Sequence, residues 1–166
     1  MHQTQTNTLA INSFHPTLAS MKIDNYASDI EIAKAKKLVD SLDFFQQNEK
    51  LITESGWSSD KVLAMENIYK EWLVLHAVYD ENVVLAQNKE LDEYWHQHIL
   101  DTRKYMDDCQ HVFGKYLHHY PYFGLTEVET QVLLERAYAL TQELFIKHFG
   151  HELTGKSNKC AATSCR

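Results

Sequence analysis

Apolar side chains return three and four residues apart through most of this chain, a period that an α-helix gathers onto one side and a β-strand scatters over both. Ile30, Ile32, Ala33, Ala35, Leu38, Val39 and Leu42 form the first such stripe, with Ser28 or Asp29 placed to cap its start. Residues 44–53 carry Phe45, Leu51 and Ile52 and predict a second, short helix that stops near Gly56. Ser58 or Ser59 opens a third. Its broad stripe of Val62, Leu63, Met65, Ile68, Tyr69, Trp72, Leu73 and Leu75 predicts the central core helix.

Val83, Val84 and Leu85 are β-prone, but a lone strand has no partner, so residues 80–88 predict an extended connection. Residues 91–113 return to helical spacing, as one helix or as two meeting at Asp101 and Thr102, with Thr102 able to cap the second and Gly114 ending it. Thr126 and Glu129 make a capping-box pair ahead of Val128, Val132, Leu133, Ala137, Leu140, Leu144 and Phe145, which predicts a long last helix up to Gly150. The expectation is an all-α fold, a compact bundle of about five helices with the last packed beside the third. Residues 115–124 are expected to be an ordered aromatic loop folded across one end.

A chain of 166 residues suits one domain that needs neither disulfide nor metal merely to fold. Three parts are expected: a polar arm over 1–24, the helical domain over 25–150, and a flexible, cysteine-containing tail over 151–166. The opening residues lack the basic start and apolar run of a signal peptide, and no stretch approaches the ~20 apolar residues of a membrane span. Sixteen basic against 23 acidic residues leave a net charge of -7, which argues against nucleic acid or an anionic membrane as partner. Of three cysteines, Cys109 falls within a helical pattern and Cys160 and Cys165 in the tail, which is no disulfide framework and predicts a cytoplasmic protein. A Gly-rich phosphate loop, a dinucleotide fingerprint and a nucleophile elbow are all absent, which argues against nucleotide-dependent chemistry.

Residues 92–124 concentrate histidine, acid and aromatic side chains. Asp92 and His96, four apart, share one helix face, while His98 can be joined by Asp101, Tyr105 and Asp108 on another. His96 and His98 are about 200° apart on an ideal helix, so both cannot hold one ion unless the helix distorts. A divalent transition metal, iron or zinc, asks for neutral imidazoles and carboxylates converging from different segments. The candidate ligands are Asp92, His96, His98 and Asp101 from the helix and His118 or His119 from the loop, with Trp95 alongside. Tyr105 and Asp108 are the candidate catalytic groups, Tyr105 as a hydrogen-bond or proton donor. This predicts a metal-binding protein, as an oxidoreductase or a hydrolase of a small molecule, although the spacing matches neither a paired-cysteine knuckle nor a His-Glu-x-x-His helix.

Two other readings stand beside it. Trp95, Tyr94, Ile99, Leu100, Tyr105 and Phe113 suit an ordinary core, with His96 or His98 bonded to Asp92, Asp101 or a carbonyl, and metal-free acid-base chemistry would use the same groups. Alternatively, the chain is a non-catalytic carrier or precursor whose Cys160 and Cys165 tail is recognised by a partner or altered by a modifying enzyme.

The run Leu91-Asp92-Glu93-Tyr94-Trp95-His96-Gln97-His98-Ile99-Leu100-Asp101-Thr102, then Tyr105, Asp108-Cys109, Phe113-Gly114 and His118-His119-Tyr120-Pro121-Tyr122-Phe123-Gly124, resembles the glycine-rich domain-containing protein-like family, its bacterial members in particular. The resemblance covers residues 71–124 and departs from the longer members in lacking a glycine-rich region. It implies that Asp92, Trp95, His96, His98, Asp101, Tyr105 and His119 form a shared site, without supplying a reaction.

Overall fold

The computed structural model describes residues 22–79, 83–124 and 128–153. The capping pair at Thr126, most of the polar arm, and Cys160 and Cys165 in the tail lie outside the described residues. Among the described residues six helices follow in order: α1 (Asp29–Val39), α2 (Phe45–Thr53), α3 (Ser59–Tyr79), α4 (Lys89–Leu100), α5 (Thr102–Phe113) and α6 (Val128–Phe149). The fold is all-α, with no strand among the described residues.

Local chemistry explains most of the boundaries. Ser28 and Glu31 close a reciprocal capping box at α1. The Ser58 hydroxyl accepts from the Lys61 N–H at 3.2 Å ahead of α3, and the Asn88 side chain accepts from Leu91 N–H at 2.8 Å at α4. The sixth helix, one more than expected, comes from a break at Asp101, whose backbone (φ -82, ψ 70) leaves the helical region between α4 and α5. Thr102 is the first residue of α5, and Asp101 is its cap, with no side-chain cap bond.

α3 packs against every other helix and supplies Val62, Met65, Tyr69, Trp72, Leu73, Val74, Leu75 and Tyr79 to the core. Several residues of the expected stripes face outward instead: Ile30, Leu38, Leu63 and Val132 are exposed, while Val74 and Leu134 are buried. A stripe that is apolar over a wide arc does not say which part of that arc meets a neighbour. Residues 83–86 are all buried, and the Ala86 N–H donates to the Thr141 hydroxyl of α6 at 3.0 Å, so the extended connection is clamped between helices rather than exposed. At the other end Ala27 N–H donates to the Tyr79 hydroxyl at 3.0 Å, which lies 2.6 Å from His148 Nε2, tying the entry to α1 onto α3 and α6.

The aromatic loop reaches α6 at Gly124. Its φ is +81°, and a Cβ built there would lie 2.6 Å from Leu134 Cδ2 and 3.3 Å from Leu134 Cβ. Gly124→Ala therefore combines left-handed backbone strain with overpacking and is expected to destabilise the fold by about 1–3 kcal/mol. Urea unfolding checks this; an unchanged midpoint would mean that the loop and α6 separate freely.

Candidate functional site

α4 runs between two polar clusters that lie on opposite sides of it. On the first side stand Asp92 and His96, one turn apart, and His119 of the loop. One donor atom from each of the three lies within 4.8 Å of the other two. His119 Nε2 is 3.1 Å from Asp92 Oδ1, and the Gln87 side-chain amide donates to the same oxygen at 2.9 Å. His96 Nδ1 is 2.7 Å from the Asp92 carbonyl oxygen and 3.5 Å from Asp92 Oδ2. Because a carbonyl only accepts, Nδ1 carries the proton and the Nε2 of a neutral ring holds the lone pair. Asp92 is buried and burial opposes its ionisation, but hydrogen bonds from His119 and Gln87 and the nearby imidazoles outweigh that, holding its carboxyl below the ordinary value. The Asp92 and His119 side chains are 3% and 12% exposed and that of His96 is 20% exposed, so the cluster reaches solvent at His96.

Trp95 fixes the loop side of this cluster. Its ring packs against His119 at 4.6 Å and Trp72 at 4.7 Å between centroids, and its Nε1–H donates to the Tyr105 hydroxyl at 3.0 Å. That hydroxyl in turn donates to the Leu117 carbonyl at 2.6 Å, two residues before His119. Burial raises the Tyr105 pKa far above its ordinary value. Tyr105 therefore holds the loop against α4 as a neutral phenol and does not sit among the three converging groups.

On the second side, His98 is 1% exposed. The Tyr69 hydroxyl lies 2.8 Å from its Nδ1 and Asp108 Oδ2 lies 2.9 Å from its Nε2. Lys104 donates to that same Asp108 oxygen at 2.6 Å. Burial lowers the His98 pKa despite Asp108, and hydrogen bonds from His98 and Lys104 lower that of Asp108 against its own burial. The consistent state is a neutral His98 donating from Nε2 to an ionised Asp108 and accepting from Tyr69, with Lys104 as the balancing charge.

Of the six candidate ligands, the structure brings together Asp92, His96 and His119. His98 points to the opposite side because α4 stays a regular helix and two residues turn it by about 200°. Asp101 sits at the helix break, where its charge acts on His98. His118 is exposed and packs on the Tyr116 ring at 4.9 Å. Asp108, expected as a catalytic group, is the partner of His98 and Lys104. Gln87, Tyr69 and Lys104 were not anticipated; Gln87 and Tyr69 sit outside the histidine-rich run and nothing in their own sequence context marks them, whereas the i, i+4 spacing of Lys104 and Asp108 on one helix was a signal the sequence offered.

The second cluster carries a pH dependence. Its imidazole titrates ordinarily at 6.5 and lower in the folded chain, so below about 6.5 the unfolded chain binds more protons and stability falls until the folded pKa is passed. Asp108 adds a second loss below its ordinary 3.8 for the same reason of sign. Urea midpoints taken between pH 8 and pH 3 are expected to show both declines, the first smaller in His98→Gln, where His148, also lowered by burial, carries what is left. A midpoint flat between pH 7 and pH 5 would contradict a buried neutral His98.

No described helix is long and apolar enough to cross a membrane. No curated protein and no solved structure matches the chain. The family model that matches, UCP032817-like, spans residues 34–143, from within α1 into α6, and it overturns the resemblance to the glycine-rich domain-containing protein-like family. That resemblance rested on residues of α4, α5 and the loop after them, a smaller part of the fold than the family model matches. With most of the helical bundle matched, the chain belongs to the UCP032817-like family.

Proposed function

We propose that the chain binds one divalent transition metal, iron or zinc, through Asp92, His96 and His119, and uses it on a small-molecule substrate as an oxidoreductase or hydrolase. The observation that carries this reading is the approach of one carboxylate and two imidazoles from two chain segments to within 4.8 Å of one another. Ligands at ~2.1 Å from a tetrahedral ion stand roughly 3.4 Å apart, so side-chain adjustments of about an ångström complete the site. Two nitrogens and an oxygen favour zinc, iron or copper over magnesium or calcium. Three protein ligands leave coordination positions open for water or substrate, reached from the His96 side. Gln87 on Asp92 and the Asp92 carbonyl on His96 Nδ1 are the outer partners that orient such ligands. A reducing, cytoplasmic setting belongs to this reading, since three cysteines, one of them buried in α5, make no disulfide framework.

Elemental analysis of the full chain, purified without a histidine tag, tests it. About one equivalent of iron, zinc or copper is expected, and supplying that metal should raise the melting temperature. Protein that stays metal-free and unshifted when offered each ion would reduce the cluster to a structural hydrogen-bond set.

A further inference from the structure

Gln47, on α2, is 3% exposed, and neither its Oε1 nor its Nε2 has a hydrogen-bond partner among the described residues. A buried amide with both ends unsatisfied is strongly disfavoured, and native folds rarely keep one without water or a ligand. Gln47 lines a cleft of about 360 Å³ together with Asp43, Phe45, Gln46 and Lys104. The cleft is on the His98 side of α4, since Lys104 reaches from it to Asp108 and through Asp108 to His98.

The polar groups of this cleft come in complementary pairs. Gln47 offers a donor and an acceptor on one amide. Lys104 brings an ammonium that has donors left beyond its bond to Asp108, and Asp43 brings a carboxylate of which Oδ1 caps the Phe45 N–H at 2.9 Å and Oδ2 remains. Gln46 and Gln47 also lie in the first turn of α2, where helix N–H groups have no partner within the helix and favour a negative group. A ligand that answers all of these carries a carboxylate and an ammonium side by side. A simple anion is the poorer fit, because Asp43 stands in the cleft and the chain as a whole carries -7.

We propose that this cleft binds a small zwitterion of the α-amino-acid class. Its carboxylate lies against Lys104 and the Gln47 Nε2–H₂, and its ammonium against Asp43 and Gln47 Oε1. No hydrogen bond from the described residues holds the Gln47 amide in its present position, so rotation of the side chain toward the ligand breaks none of their bonds. The exposed Phe45 ring at the edge is placed to contact the ligand's own side chain. This site is separate from the Asp92 cluster and does not depend on metal.

Calorimetric titration and thermal shift of the full chain against each standard amino acid test the proposal, with acetate and methylammonium as the two halves of the ligand. At least one amino acid should bind saturably with a Kd of roughly millimolar or tighter. Acetate and methylammonium should each bind more than about 10-fold more weakly, which is above 1.4 kcal/mol. Gln47→Leu should lose binding by a similar factor while melting at the same or a higher temperature, because the orphaned amide is gone. Asp43→Asn, which keeps the oxygen that caps Phe45, should lose the preference for amino acid over acetate. Saturation by no amino acid, or unchanged binding by Gln47→Leu, overturns the proposal and leaves a cleft that holds water only.

Discussion

Replacing His119 with alanine is expected to weaken divalent-metal binding by more than about 100-fold, beyond the 10–100-fold typical of losing an outer-shell partner. His119 is the one group of the three that α4 does not supply. Asp92 and His96 alone are an i, i+4 pair on one helix, which cannot surround an ion. Some stability should be lost with the His119 ring, which packs on Trp95 and bonds Asp92, but the helices should stay folded, since Trp95 keeps Trp72 and Asp92 keeps its bond from Gln87. Competition with a chromophoric chelator reads the affinity, and His98→Ala is the matched control. That control should retain metal and lose stability, since it removes the partner of Tyr69 and Asp108 in a buried network. If His119→Ala held metal as the natural chain does, the ligand set would be wrong; if both variants lost it equally, unfolding rather than ligation would explain the result.

Trp95→Ala is expected to cost about 3–5 kcal/mol, a large part of the 5–15 kcal/mol of a typical domain. The indole is buried between the Trp72 and His119 rings, and its N–H is one link of the chain from α4 through Tyr105 to Leu117. Truncation opens a cavity where α3, α4 and the loop meet and frees the segment that carries His119. Metal affinity should therefore fall together with stability, although Trp95 contributes no ligand. Trp95→Phe fills most of the volume and should cost less on both counts. A loss below about 1 kcal/mol in Trp95→Ala, measured by urea unfolding, would mean that the loop is held by other contacts.

The helices were legible in the residues because a helix is decided by neighbours three and four positions away. Ser28 with Glu31, Asn88 ahead of Leu91 and Gly114 after Phe113 are local devices, and each works as its residue type suggests. The split at Asp101 was legible only as one of two alternatives. Residues that make a helix end do not oblige it to end, and the turn into α5 also depends on α5 packing back on α3 and α1. The family was misread because the histidine-rich run is conspicuous, whereas the matched region, residues 34–143, extends over most of the bundle.

The candidate site divides along the same line. A rise of 100° per residue sets Asp92 with His96 and turns His98 away, whatever surrounds the helix. Which imidazole meets the His119 ring, at 4.6 Å between centroids, and which is shut in with Tyr69 across 29 residues of chain, depends on how α3, α4, α5 and the loop pack together. Sequence by itself determined the angle between the two histidines. Tertiary structure decided their company, because convergence of distant side chains is a property of packed surfaces that no local rule of backbone geometry contains.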